Sequence, residues 1–324
     1  MKILVKNTIW VCFLLLLAFC FLFYSEKTTE YAYIGLKTWF DRMIISLFPF
    51  MVLVNLLIRS GLSEAFIKPF SVLLKPVFRN SDTAIFVILF GFLAGFPLGA
   101  KCAIDLYKQG KLSKINTEYL LCFCNNIGPA YMLGFYIQTI NPQTSLVLAI
   151  ICFYALPLLY GIFLRYTLFN KKLNRELSGV MNVTITSQIQ KHNVLYYLPD
   201  AVSGALVQIA TLGGYMIFFN AVRIVPYVFL SKYPKLFIAA QSILEISGGL
   251  LCVKQTLSPG FFREAAFALI FVFNGLCCHF QTFSLMHGLP LSKKKYMLHK
   301  IILCSITVFT IYCFDKLNNI EWFF

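Results

Sequence analysis

The sequence predicts an all-α polytopic membrane protein, and three observations carry that reading. The 324 residues are 59% hydrophobic and only 13% charged, whereas soluble domains carry roughly 25% charge. The apolar residues fall in repeated continuous runs, many near the roughly 17–25 residues that cross a bilayer as a helix. Within these runs apolar and polar residues do not alternate, which argues against an outer-membrane barrel. The net charge of +15 is spread over short loops between the runs. Anionic headgroups attract Lys and Arg there, and no compact basic domain suited to nucleic acid is present.

Nine apolar segments follow one another: Ile9–Tyr24, Met43–Ile58, Ala84–Tyr107, Thr117–Ile137, Ser145–Leu168, Pro199–Val225, Leu236–Val253, Phe262–Ser284 and Leu298–Phe314. The first follows Lys2 and Lys6 and has the layout of a signal peptide. No small-x-small cleavage site comes after it, so a retained anchor helix is expected, with its linker, over residues 1–42. Two segments, Ala84–Tyr107 and Leu236–Val253, carry glycine breaks: GFPLGA (Gly95–Ala100) and EISGGL (Glu245–Leu250). If every segment crosses, Lys and Arg divide almost evenly between the two sides, which sets no orientation. If the two glycine-broken segments are re-entrant hairpins, one side holds about twice as many. That inner set includes Arg165, Lys171, Lys172, Arg175, Lys293, Lys294, Lys295 and Lys300. The expectation is therefore about seven spanning helices and two hairpins, in a bacterial cell membrane, with the N-terminus cytoplasmic.

This layout exposes an inverted repeat, over residues 43–169 and 194–314, joined by a cytoplasmic linker at 170–193 and followed by a short tail at 315–324. Each half reads span, hairpin, span, span, and the second enters from the opposite side. PFMVLVN (Pro49–Asn55) aligns with GYMIFFN (Gly214–Asn220). KINTEYLLCFCNNIG (Lys114–Gly128) aligns loosely with GFFREAAFALIFVFNG (Gly260–Gly275).

The breaks supply the candidate site residues. Irregular backbone at membrane depth survives only inside protein or along a wet cavity, so Gly95, Pro97 and Gly99 belong inside the bundle, as do Ser247, Gly248 and Gly249. Half-helix N-termini there can hold anionic or polar groups, or the tips can simply pack. Asn125, Asn126 and Asn274 interrupt two apolar segments, and Asn55 and Asn220 form another matched pair. Such amides serve either a polar ligand or helix-to-helix bonding. Lys101 and Asp105 are four apart and suited to pair on a helix. Glu245 has no local partner, so it is a candidate for binding a coupling proton or cation, or for pairing with Lys101. His279 and Gln281 share the segment of Asn274. The eleven cysteines lie in or beside apolar runs, which fits packing better than disulfides or a metal site. No cofactor motif and no catalytic signature stands out, so no enzyme is expected.

GFLAGFPLGAK, LYKQGKLS, NNIGPAYMLG and LEISGGL together resemble the YlbJ-like sporulation integral membrane protein family, within the nucleoside-recognition, or gate, domain membrane proteins. The resemblance covers about Phe48 to Cys313. It implies an architecture like that of concentrative nucleoside transporters, a tie to endospore formation, and a place in membranes around the developing spore. Leu98 departs from it, standing where a small polar residue is expected.

Two functions follow. One is a transporter or channel-like protein for a small polar solute, nucleoside-like by the resemblance, held near the bilayer midplane. The other is a non-transporting scaffold for spore cortex or envelope assembly. A membrane enzyme is the least supported. The expected partners are the lipid bilayer, the solute, further copies of the chain or sporulation membrane proteins, and no nucleic acid.

Overall fold

A computed structural model describes residues 2–140, 146–179 and 193–320. Among these residues every regular element is helical. In chain order they are α1 (Lys2–Phe23), α2 (Ser25–Arg59), α3 (Ser63–Phe78), α4 (Asp82–Leu93), α5 (Leu98–Lys108), α6 (Lys114–Leu121) and α7 (Pro129–Tyr131). α7 continues as a wide-turn stretch over Met132–Ile140. Then come α8 (Leu146–Tyr166), α9 (Asn170–Gly179), α10 (Val194–Leu230), α11 (Pro234–Leu244), α12 (Ile246–Thr256), α13 (Phe261–Phe273), α14 (Gly275–Leu285) and α15 (Lys293–Ile320).

Five helical stretches are long and apolar enough to cross a membrane among the described residues, or six if the bent pair α3–α4 makes one span. Two of the expected crossings fall outside that number. The apolar part of α1 over Asn7–Phe23 falls just under that length, although the whole helix, Lys2–Phe23, has 22 residues. The Thr117–Ile137 run is not one helix, because residues 122–128 leave helical geometry. α2 also runs without interruption through the boundary drawn at residue 42, by way of a wide-turn stretch at Trp39–Ile44. Part of the expected linker is helix α9, and residues 180–192 of it lie outside the described residues, as do 321–324 of the tail.

The centre of the bundle is α4. Its sequence, DTAIFVILFGFL, is apolar on every face, and Ala84 through Ile88 are all buried; a helix apolar all round belongs inside. Ser81 caps it, accepting from the Ala84 N–H at 3.2 Å. α3 meets α4 at 97° and buries one face, with Ile67 and Ser71 inside while Val72 and Leu73 are exposed. Arg165 fixes this corner. Its guanidinium donates to the Phe78 carbonyl at 2.9 Å and to the Arg79 carbonyl at 2.8 Å, where α3 has ended and its last carbonyls lack helical partners.

α2 packs along α10. The contact is close because small residues face large groups: a Cβ at Gly213 would lie 2.4 Å from the Trp39 ring, and one at Gly35 2.6 Å from the Met216 carbonyl oxygen. The Trp39 indole N–H donates to the Ile209 carbonyl at 2.8 Å. α1 lies at the periphery against α2 and the end of α10. Its Ile9, Trp10, Leu15 and Leu22 are exposed, a surface suited to lipid.

Two of the charges counted on the inner side from the sequence lie within helices, Arg165 in α8 and Lys300 in α15. Arg165 and Lys300 are both fully buried inside the protein.

Candidate functional site

Two helical hairpins and two helix breaks meet at the centre. The first hairpin is α4–α5, with its tip at Ala94–Pro97; Gly95 there has φ +82° and the Phe96–Pro97 peptide is cis. The second is α11–α12, with its tip at the single extended residue Glu245. The first break covers residues 122–128, between α6 and α7. The second is Asn274–Gly275, two successive left-handed residues with φ +72° and +62°, a conformation that Asn and Gly adopt most readily.

Each tip sits on a break. At the first, a Cβ on Gly95 would fall 2.2 Å from the Gly128 nitrogen, and one on Gly99 only 1.9 Å from the Cys124 carbonyl oxygen. A Cβ on Gly91 would lie 2.4 Å from that same oxygen. The glycines at 91, 95 and 99 thus let hairpin backbone lie directly on the backbone of the break. The Phe96 N–H donates to the Asn126 carbonyl at 2.6 Å, supplying a partner that the broken helix lacks. At the second tip, a Cβ on Gly275 would lie 3.3 Å from the Glu245 Cα.

The breaks also touch each other. The Asn274 side-chain amide donates to the Asn125 carbonyl at 2.7 Å, and the Lys300 ammonium donates to the same oxygen at 2.5 Å. The Asn125 amide donates to the Thr282 hydroxyl at 3.2 Å and the Tyr296 hydroxyl at 3.1 Å. Asn126 donates to the Phe123 carbonyl. His279 Nδ1 lies 3.0 Å from the Tyr296 hydroxyl. Four buried atoms in this region have no protein partner: Asn125 Oδ1, Asn274 Oδ1, His279 Nε2 and Gln281 Oε1.

Around the second tip lies a separate polar cluster. Glu245 Oε2 accepts from the Gly248 N–H at 2.9 Å, the Ser247 hydroxyl at 2.5 Å and the Asn220 amide at 2.9 Å. It therefore caps α12. The buried Arg223 donates to Asn220 Oδ1 at 3.0 Å and to Gln241 Oε1 at 2.5 Å, and lies 4.6 Å from the Tyr31 ring centroid. Gly248 leaves the room for that guanidinium, since a Cβ there would clash with it. Gly249 lies against the other arm, at Ser242.

A cavity of about 210 Å³ opens beside the first tip. Pro97, Leu98 and Lys101 of the hairpin line it, with Met51 of α2, Gln208, Thr211 and Tyr215 of α10, and Gln281 and Ser284 of α14. Gln208 Oε1 and Gln281 Oε1 are both buried without a protein partner. The Gln208 amide donates to Asn55 Oδ1 at 3.3 Å, and Asn55 donates to the Ala201 carbonyl at 3.2 Å.

Of the residues named from the sequence, Pro97, Lys101 and Gln281 reach this cavity, with Asn55 one bond behind it. Gly95 and Gly99 pack on the first break. Asn125, Asn126 and Asn274 bond within the centre, and Ser247, Gly248, Gly249, Asn220 and Glu245 belong to the second tip. Lys101 pairs with Asp105, so the alternative partnership of Lys101 with Glu245 is not formed. All eleven cysteines are free. Gln208, Arg223, Gln241, Tyr296 and Lys300 were missed. For Gln208, Arg223 and Gln241 the one sequence signal is a polar side chain inside an otherwise apolar helix.

Fold and site define a multi-pass helical membrane protein in which two hairpin tips dock on two helix breaks. Over 132 residues the chain is 30% identical to the sporulation integral membrane protein YlbJ of Bacillus subtilis (strain 168), a stretch covering 40% of this chain and 32% of that protein. The match therefore spans about a third of that relative's length. It supports the YlbJ-like part of the resemblance. No protein-family model matches the chain, and no solved structure matches it.

Proposed function

We propose that the chain is a transport-type membrane protein, associated with sporulation, that holds a small polar solute in the cavity beside Pro97, Lys101, Gln208 and Gln281. One observation carries this reading: two buried amide oxygens without protein partners, Gln208 Oε1 and Gln281 Oε1, belong to residues lining the same cavity. Buried polar atoms are ordinarily paired, so a ligand with N–H or O–H donors, or water, completes them. The volume of about 210 Å³ lies below the roughly 300–1,000 Å³ of drug-sized sites. A solute of nucleobase or sugar size suits it, in keeping with the nucleoside-like solute that the resemblance implies. The two halves form an inverted repeat in this reading, with tip on break in each, and movement of one half against the other opens the cavity alternately to the two sides.

The scaffold reading draws on a different observation. The glycines of the first tip are used up in backbone packing against Cys124–Gly128, which leaves them no ligand face on that side.

Thermal unfolding of the detergent-purified protein with nucleobases, nucleosides and small sugars separates the two. A ligand at about 100 times its Kd adds roughly 2.7 kcal/mol. A shift in the wild type that disappears in Gln281→Leu and Gln208→Leu supports the cavity. A shift retained in both variants removes the site from this cavity, and no shift with any compound favours the scaffold.

A further inference from the structure

Lys300 is a lysine at the centre of the two helix breaks. Its side chain is fully buried. Its ammonium donates to the Asn125 carbonyl oxygen at 2.5 Å and to Asn126 Oδ1 at 3.3 Å. No ion pair among the described residues includes it. Lys295, a little over one turn earlier on α15, is the opposite case: it pairs with Glu118 at 2.7 Å. A buried lysine without an acid is costly, and a chain keeps one where it has a task.

The oxygens around Lys300 are those of a cation seat. Residues 122–128 have left the helix, so the carbonyls there are freed from their ladder. Unwound carbonyls at a broken membrane helix are the groups that hold monovalent cations in transporters. The Asn125 carbonyl points its remaining capacity at Lys300 and Asn274. Two further neutral oxygens, Asn125 Oδ1 and Asn274 Oδ1, belong to the same residues and have no protein partner.

We propose that the first helix break is a monovalent-cation seat filled by the chain's own Lys300 ammonium, which acts as a tethered cation joining the two halves. Lys300 is on the last helix and Asn125 and Asn126 are in the first half, so the seat closes only when the halves are docked. A free metal ion has no place there while the ammonium is in position. The inference stands on the seat alone and not on the solute cavity.

The test uses the full-length protein in detergent and reads its unfolding midpoint in chloride salts of sodium, potassium, methylammonium and choline. The wild type should have the same midpoint in sodium and choline salts at equal ionic strength. Lys300→Met keeps the length without the charge, so its midpoint should fall and stay unresponsive to all four cations. Lys300→Ala vacates the seat, and sodium, potassium or methylammonium should raise its midpoint saturably over choline. A wild-type midpoint that rises saturably with sodium overturns the proposal, and that measurement needs no variant. So does a Lys300→Met protein as stable as the wild type, or a folded Lys300→Ala protein that answers no small cation.

Discussion

The two hairpin tips do the same job by different chemistry. Both end one half-helix and start another inside the protein, where freed backbone groups have no water to bond. The first tip lays glycine backbone on the backbone of the break at Cys124–Gly128 and bonds it through the Phe96 N–H. The second places a carboxylate at the turn, where Glu245 accepts three hydrogen bonds and Asn220, in turn, holds Arg223. A break at membrane depth can thus be closed by backbone shape or by a capping acceptor. The first tip depends on the absence of side-chain atoms at its glycines, while the second depends also on an acceptor at Glu245.

The largest effect should therefore come from adding volume at the first tip. Gly99→Val puts a Cβ 1.9 Å from the Cys124 carbonyl oxygen and within 2.9 Å of the Gly91 Cα. Both are backbone atoms that no side-chain rotation clears. Overpacking ordinarily costs about 1–3 kcal/mol, and a backbone clash on this scale exceeds that range, so folded protein should be lost on size-exclusion chromatography. Gly214→Val is the control. Nothing lies within 4 Å of a Cβ there, and its cost should stay within about 0.5 kcal/mol. Equal yields of the two variants would remove the shape account of the first tip.

At the second tip the effect should be smaller and should follow the acceptor. Glu245→Ala strands the Ser247 hydroxyl, the Gly248 N–H and the Asn220 amide together, and leaves Arg223 without its nearby negative charge. A loss of about 3 kcal/mol is expected from unpaired buried groups. Glu245→Gln keeps an acceptor oxygen in nearly the same volume and should cost about 1 kcal/mol. Denaturation in mixed micelles measures both. If the two variants lose the same stability, the charge and not the capping oxygen closes this tip.

The comparison also shows what the sequence could reveal. The first hairpin was legible because Gly95, Pro97 and Gly99 punctuate an apolar run, and each has a local backbone meaning. The second was legible as a break, but its turn lies at Glu245, while Ser247, Gly248 and Gly249 begin the next helix. A glycine pair shows that a chain can bend and not where it does. Asn274 was legible as the end of a half-helix, since a polar residue before glycine in an apolar run has few other uses. Lys300 was not. It stands close behind Lys293, Lys294 and Lys295, and a run of basic residues at the head of a span reads as a topology signal. Only its place two turns into a helix beginning at Lys293 separates it from them. Arg223 and Gln208 were hidden for a related reason. Their partners Gln241 and Asn55 lie on other helices, 18 and 153 residues away, and a single sequence carries no trace of such pairing.

The smallest stability effect belongs to Lys101, where the first tip borders the cavity. Its ion pair with Asp105 is partly exposed, and pairs of that kind contribute up to about 1 kcal/mol. Lys101→Met should lower stability by roughly 0.5 kcal/mol and leave the packing of Gly95 and Gly99 on the break intact. Its effect on solute binding should be larger. The ammonium is the one charged group lining the cavity among the described residues, and a charged hydrogen bond contributes roughly 1.5–3 kcal/mol where a solute accepts it. Binding to the wild type should then exceed binding to Lys101→Met by about tenfold or more, read by calorimetry with any compound that stabilises the wild type. An unchanged affinity would mean that the first tip serves the cavity only as a wall, and the closure by shape would then be its whole role.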